Sequence, residues 1–285
     1  MTELTPGTAR KSLGQHFLFD RERLRRIALA AGPVEGRTVL EVGPGPGGLT
    51  RALLEEGAGR VIAVEMDRRF AEGLRSWPEA HEGRLTVHEA DARLIDPEAL
   101  ISAAGGQTPA LIIANLPYNV ATPLLVAWLK AGPWRGSMAL MFQKEVAQRI
   151  CARPDETHYG RLAVLAHAST APHIAIVVPP GAFRPPPKVD SAVVVFHPLP
   201  AEEIYPDIDT LEELTGAAFN QRRKMLRSSL RTLCANAGHD ASQLLETAGI
   251  DPTRRAETLS QQEFRTLASA WRATGAKALR QKSPG

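Results

Sequence analysis

Thr38-Val39-Leu40-Glu41-Val42-Gly43-Pro44-Gly45-Pro46-Gly47-Gly48 reads as a short apolar strand that runs into a glycine-rich turn and opens a helix. Glycines at such a turn let backbone approach a ligand closely, and the unpaired N–H groups of the helix start favour an anion. Read literally, Gly43, Gly45 and Gly48 satisfy G-x-G-x-x-G, which also fits NAD or FAD. Working outward, similar apolar runs recur at 60–64, 84–88 and 110–114, with helix-length segments at 47–57, 67–76 and 96–104. Short strands alternating with helices predict a parallel sheet covered on both faces. Upstream, Leu24, Ile27, Ala28 and Ala31 fall on one face of a helix over 20–31 capped by Asp20. Downstream, the pattern continues with a helix after Pro123, a strand near 136–142, helices at 143–152 and 159–169, and β runs at 173–178 and 191–197.

After about residue 200 the β signal stops, and 207–218, 222–235, 240–248 and 260–273 read as helices. The chain therefore divides into an arm (1–19), an α/β domain (20–200) and a smaller all-helical domain with a basic tail (201–285). A 285-residue chain that is 44% hydrophobic and 23% charged buries a core, so global disorder is excluded. No run approaches the roughly 18 apolar residues needed to span a bilayer, and no secretory apolar segment is seen. Cys151 and Cys234 form no metal or disulfide pattern, so a reducing, cytoplasmic compartment is expected.

The net charge is only +3, yet it is segregated. Residues 202–213 carry six acids and no base; residues 221–231 carry Arg222, Arg223, Lys224, Arg227 and Arg231 and no acid. Arg10, Lys11, Arg21, Arg23, Arg25 and Arg26 form a second basic cluster, and Arg265, Arg272, Lys277, Arg280 and Lys282 a third. Any one cluster reads as a solvated helix face; three favour a polyanionic partner. On a continuous helix Arg223, Arg227 and Arg231 would make one ridge.

The chemistry concentrates at strand ends. Glu65 stands 22 residues after Gly43, just past the second strand, where an acid accepts ribose hydroxyl protons. Asp91 follows the third strand, within reach of an adenine ring. The fourth strand ends in Asn115-Leu116-Pro117-Tyr118. An Asn oxygen and a backbone carbonyl offer two acceptors to an exocyclic amine, while Tyr118 offers a face on which a base stacks. That set suits methylation of a planar aromatic amine by a sulfonium donor, and a redox enzyme has no use for it. Trp77, Trp128, Trp134 and Trp271 read as packing aromatics, and the histidines lack ligand spacing, so no metal is assigned.

Asn115-Leu-Pro-Tyr118 is similar to the adenine-N6 methyltransferase motif, and Glu41-Val-Gly-Pro-Gly45 resembles motif I of class I S-adenosylmethionine-dependent methyltransferases. Lys11-Ser-Leu-Gly-Gln-His-Phe-Leu18, Phe142-Gln-Lys-Glu-Val-Ala147, Tyr159-Gly-Arg-Leu162, Phe183-Arg-Pro-Pro-Pro-Lys-Val-Asp-Ser191 and Phe219-Asn-Gln-Arg-Arg-Lys-Met-Leu226 extend the likeness. Together they resemble the bacterial small-subunit ribosomal RNA adenine dimethyltransferases, relatives of the erythromycin-resistance methylases and the eukaryotic dimethyladenosine transferases. The resemblance implies a Rossmann-like class I methyltransferase domain with S-adenosylmethionine as cofactor. The substrate it implies is two adjacent adenosines in a hairpin near the 3′ end of 16S RNA, each dimethylated during small-subunit biogenesis. It also implies a monomer acting on the assembling 30S particle.

By position, His16 and Leu18 match the arm over the cofactor, and Gly43 and Gly45 the loop under its methionine portion. Glu65 matches the ribose acid, Asp91 the acid near the cofactor adenine, and Asn115 with Leu116 and Pro117 the active-site turn. Tyr118 matches the stacking aromatic, and Phe183 the aromatic facing the target base from the other side. His16 departs from the Asn of many relatives, and Pro46 departs in the loop. Two other readings share these features: a large-subunit RNA dimethyltransferase of the resistance type, and a ribosome-assembly factor that acts mainly by binding.

Overall fold

The computed structural model describes residues 16–275. The first half of the Lys11–Leu18 motif, Arg10, and the tail bases Lys277, Arg280 and Lys282 lie outside the described residues. Two compact units appear among these residues: up to Ala147 together with Ala171–Pro198, and Gln148–Thr170 together with residues from Leu199 onward.

The first unit begins with β1 (Phe17–Leu18) and α1 (Arg21–Ala28). The Asp20 side chain accepts the Arg23 N–H, capping α1 as its sequence predicts, and Leu24, Ile27 and Ala28 are buried. There follow β2 (Thr38–Val42), α2 (Gly48–Glu55), β3 (Arg60–Glu65), α3 (Arg68–Arg75), α4 (Pro78–His81), β4 (Leu85–Glu89), α5 (Pro97–Ala103) and β5 (Ala110–Ala114). Then come α6 (Tyr118–Leu129), β6 (Arg135–Gln143), α7 (Lys144–Cys151), α8 (Arg161–Ser169), β7 (Thr170–Val178), β8 (Phe183–Arg184) and β9 (Ser191–Pro198).

Seven strands form one sheet in the order β4-β3-β2-β5-β6-β9-β7. β4, β3, β2, β5 and β6 are mutually parallel, and β9 runs antiparallel to β6. β2, β5 and all of β3 but its first residue are buried, as strands covered on both faces must be. The chain winds from β2 outward through β3 to β4, then returns to place β5 on the other side of β2. Winding reverses between β2 and β5, and in such sheets the crevice beyond the strand C-termini at this reversal binds ligands. The topology alone therefore selects the turns after Val42 and Ala114.

Two local expectations change. The helix expected after Pro123 starts at Tyr118 and carries Pro123 inside it, so the aromatic of the Asn-Leu-Pro-Tyr turn is already helical. A two-residue ribbon absent from the sequence reading pairs β1 with β8, setting Phe17 opposite Arg184 and Leu18 opposite Phe183. The basic cluster on α1 is also partly neutralised at home: Arg21 pairs with Glu55, Arg23 with Asp20, and Arg25 with Glu56.

The second unit claims residues that the sequence placed before the boundary at 200. α8 explains why: Ala163, Val164, Leu165, Ala166 and Ala168 are all buried on it. It packs against α9 (Ile208–Asn220) and against the last helix of the unit, which caps itself through Ser260 and Glu263. Tyr159, wholly buried, donates its hydroxyl to the Leu259 carbonyl at 3.0 Å. Between these helices lie α10 (Leu226–Ser229), α11 (Arg231–Asn236) and α12 (Ala241–Thr247), and the last helix is α13 (Gln261–Ala273).

The expected helix over 222–235 is thus broken. α9 ends at Asn220, a turn follows, and Met225 is extended before α10 starts. The cause is a competing set of partners: the Leu226 and Arg227 N–H groups donate to the Arg254 and Pro252 carbonyls instead of the preceding turn. Arg223, Arg227 and Arg231 therefore sit on a turn and two short helices rather than on one continuous ridge. Arg222 is engaged within the unit, by Glu257 and the Thr157 carbonyl. The acidic run is met by Arg161 at Glu212 and Arg272 at Asp207, bases outside the 221–231 cluster.

Candidate active site

The turn after β2 holds Gly43, Gly45 and Gly47 at positive φ of 70°, 54° and 87°. Gly45 shows what the glycines spare. A Cβ there would lie 2.6 Å from the Phe17 ring, so any other residue would have to push that ring aside. What approaches the turn so closely is the protein's own N-terminal strand. The turn's backbone in turn engages the second strand end: the Gly45 N–H donates to Glu65 Oε2 at 2.9 Å.

Glu65 ends β3 and is 5% exposed. Its other oxygen, Oε1, accepts the Asp67 N–H at 2.8 Å. Each carboxylate oxygen accepts more than one hydrogen bond, so both keep capacity for hydroxyl donors. Burial raises the Glu65 pKa above the usual carboxylate range, and the N–H groups of Asp67 and Gly45 oppose that rise. Beside it opens a cleft lined by Val42, Val64, Glu65, Asp91, Pro117 and Leu124 among others. Apolar walls with two carboxylates in the lining suit a flat ring joined to a sugar. Asp91 is gripped by Arg93 through a fork of hydrogen bonds, which hold its pKa below the usual range. Asp91 lines the same cleft.

A carboxyl that the sequence reading quoted without giving it a role lies beneath the glycine turn. Glu41 is 1% exposed, and its Oε2 accepts the Thr50 hydroxyl at 2.7 Å. Burial without a cation, with Glu65 adding repulsion, pushes its pKa up to about 8. The signal was present in β2, an apolar run buried throughout that carries one acid among its neighbours. A carboxyl raised in this way favours folding most below its ordinary value near 4.5, and that contribution is lost as pH rises through about 8. Thermal stability is therefore expected to fall between about pH 5 and pH 8.5, and Glu41→Gln to flatten that fall. Melting curves across that range check it; an unchanged slope in Glu41→Gln assigns the pH dependence to other groups.

The turn after β5 supplies the second half. Asn115 donates from Nδ2 to the His16 carbonyl at 3.1 Å, which leaves Oδ1 as its free acceptor. Leu116 is buried and anchors the turn, and Pro117 precedes α6. Tyr118 is half-buried, and its hydroxyl is hydrogen-bonded to Ser191 Oγ of β9 at 2.7 Å, so the ring is tied at both ends. Burial raises its pKa. A small cleft touching His16, Gly45, Glu65, Asn115 and Tyr118 joins the two turns.

The structure thus brings Gly43, Gly45, Glu65, Asn115, Leu116, Pro117 and Tyr118 together, and Asp91 lines the larger cleft with Glu65. His16 and Leu18 reach the site through β1, and Leu18 is buried against the hydrophobic core. Phe183 is brought in by β8 but is only 2% exposed. The imidazole of His16 packs edge-on against it, with ring centroids 6.5 Å apart. Among the described residues no cluster of metal-ligating side chains occurs, and no helix is long and apolar enough to cross a membrane.

The chain is similar to known proteins along most of its length. The chain is 56% identical to a protein of Agrobacterium fabrum named ribosomal RNA small subunit methyltransferase A, over 92% of each chain. It is 48% identical to a like-named protein of Maricaulis maris, over 93% of this chain and 91% of that one. Among solved structures, a dimethyladenosine transferase from Plasmodium falciparum superposes with a TM-score of 0.75 at 24% identity, covering 93% of this chain and all of that one. The 23S rRNA methyltransferase ErmE superposes with a TM-score of 0.61 at 24% identity, covering 89% of this chain and 98% of that one. These two likenesses bear on the fold, the class I methyltransferase sheet with its helical C-terminal region. The family model described as ribosomal RNA adenine dimethylase matches residues 7–271, nearly the whole chain, and the chain belongs to that family.

Proposed function

We propose that this protein dimethylates N6 of two adjacent adenosines in a 3′-terminal hairpin of small-subunit ribosomal RNA, acting as a monomer on the assembling 30S particle. The observation that carries the reading is Asn115, which lines the same cleft as Tyr118 and whose Nδ2 donates to the His16 carbonyl, leaving Oδ1 as an acceptor. The near-50% identity to proteins named for the small subunit favours that RNA over the large-subunit RNA named for ErmE.

The residues present fit S-adenosylmethionine: buried Glu65 and Asp91 line one largely apolar cleft. When bound, the cofactor supplies an electrophilic methyl group on a sulfonium. Everything else falls to the chain. Glu65 orients a ribose through its two oxygens, and the turn at Gly43 and Gly45 lies beside it. Leu18 holds β1 to the core, and so holds the His16 carbonyl against Asn115. Asn115 Oδ1 and a carbonyl of the Leu116-Pro117 turn accept the hydrogens of the target amine, which draws its lone pair out of the adenine ring. Tyr118, fixed by Ser191, stacks the base, and Phe183 backs the slot. Positioning and exclusion of water then supply the rate without a strong general base.

The test is incubation with labelled S-adenosylmethionine and small subunits lacking the modification, then mapping of the labelled bases. Label confined to two neighbouring adenosines near the 3′ end supports the reading; label in large-subunit RNA, or none, overturns it.

The helical unit is expected to track phosphates. Arg223, Lys224 and Arg227 are exposed on the turn and α10, where they add affinity without naming a base. Replacing Arg223 and Arg227 by Gln should weaken RNA binding and flatten its salt dependence by up to about one log unit per lost phosphate contact. Cofactor affinity should stay the same. A lowered melting temperature with an unchanged salt slope would make these arginines structural.

A further inference from the structure

The slot proposed for the target base already contains a flat nitrogen heterocycle. The His16 imidazole lies beside Tyr118, with ring centroids 5.7 Å apart and planes 31° from parallel. The same imidazole meets Phe183 edge-on, at 77°. It is held there from two sides. His16 Nδ1 lies 2.8 Å from the Pro185 carbonyl, which only accepts, so Nδ1 carries the proton and donates. The His16 main-chain carbonyl meanwhile accepts from Asn115. One residue thus engages Tyr118, Phe183 and Asn115, the three groups assigned to the adenosine.

Spacing shows that a base cannot stack on the Tyr118 face beside which the imidazole lies without displacing it. Aromatic carbon surfaces stack no closer than about 3.5 Å, so a base between two rings needs roughly 7 Å from wall to wall. Tyr118 and His16 are nearer than that. Phe183, at 2% exposure, presents almost no face to a ligand, packed as it is in the hydrophobic core and edge-on against the imidazole. Its contacts, moreover, are weak ones. His16 is half-buried, and it is held by one neutral hydrogen bond and two aromatic contacts, each modest and readily exchanged.

We propose that His16 is a specificity-determining residue that occupies the target-base slot in the RNA-free enzyme and yields it only to a base that stacks better than imidazole. A purine does so, because its larger face covers more of Tyr118 and its exocyclic amine finds Asn115 Oδ1. A pyrimidine recovers less of what displacing the imidazole costs. This rests on the target-base reading above and adds to it a side chain that competes with the substrate.

The experiment compares binding of the full-length protein to two versions of the small-subunit hairpin, one with the target adenosine and one abasic at that position. The ratio of their dissociation constants reports the base's own contribution. For His16→Ala the ratio should rise by about threefold to tenfold over wild type, with the S-adenosylmethionine dissociation constant within twofold. His16→Asn removes the ring yet keeps an amide able to donate to Pro185, so it should behave like His16→Ala even where alanine loosens the arm. His16→Phe keeps a ring in the slot and should not raise the ratio. A ratio that falls in His16→Ala and His16→Asn makes the imidazole a supporting wall and overturns the proposal. An unchanged ratio with weakened cofactor binding returns the side chain to the cofactor site and also overturns it. Equal affinity of wild type for the two hairpins is a different failure, since it removes the target-base slot itself.

Discussion

Asn115→Ala is expected to lower the turnover of methyl transfer by on the order of a hundredfold to a thousandfold, the scale seen when one preorganised polar group is removed from a reacting centre. The side chain ends β5 at the point where the sheet's winding reverses, and its nitrogen is already engaged by the His16 carbonyl. Its oxygen is the acceptor that the chemistry needs. An adenine amine is a poor nucleophile because its lone pair is delocalised into the ring, and an acceptor on its hydrogens reverses that delocalisation. Alanine removes this acceptor and leaves the fold intact, because Leu116 and the Tyr118–Ser191 bond still hold the turn. Cofactor affinity should remain within a few-fold, the small loss reflecting a looser His16 strand. Calorimetry with S-adenosylmethionine set beside single-turnover methylation separates the two. Near-normal turnover in Asn115→Ala would remove the residue from the reaction, and a collapse of cofactor affinity with surviving turnover would make it a cofactor ligand.

Most strands and helices of the first unit were legible because each covered strand is a short apolar run and several helices open on a capping Asp or a glycine turn. Asp20, Asp67 and Asp96 cap α1, α3 and α5 in this way. Site residues were legible for a related reason: ligands bind where strands end, so Glu65, Asp91 and Asn115 stand at positions that periodicity already marks. What was not legible depended on contacts between distant segments. The β1–β8 ribbon is two residues long on each side, too short for any alternation to show. Consequently, neither the burial of Phe183 nor the placement of His16 against it was visible beforehand. The break at Met225 was hidden likewise, because the apolar spacing of Leu226 and Leu230 is helical while their backbone partners lie at Pro252 and Arg254. α8 was read correctly as a helix but given to the wrong unit, since a helix buried on most sides carries no polar face to show which core it joins.

Glu65→Ala should act on binding, with the S-adenosylmethionine dissociation constant rising at least tenfold. Two contributions add. Hydrogen bonds from ribose hydroxyls to a buried carboxylate are worth roughly 1.5–3 kcal/mol each, so even one lost bond accounts for about tenfold. The second contribution comes from the protein itself. Glu65 accepts the N–H groups of Gly45 and Asp67, and alanine leaves both without their partner at the edge of the cleft. The glycine turn then loses the tether that sets it beside β3, so the cleft is both less polar and less ordered. Glu65→Gln separates these effects. An amide supplies one acceptor oxygen, but its NH₂ must face an N–H that formerly met a carboxylate, so one of the two tethers becomes a repulsive donor–donor contact. Glu65→Gln should therefore recover only part of the loss. Full recovery would mean that charge at this position is irrelevant to ribose recognition; an unchanged dissociation constant in Glu65→Ala would place the cofactor sugar elsewhere.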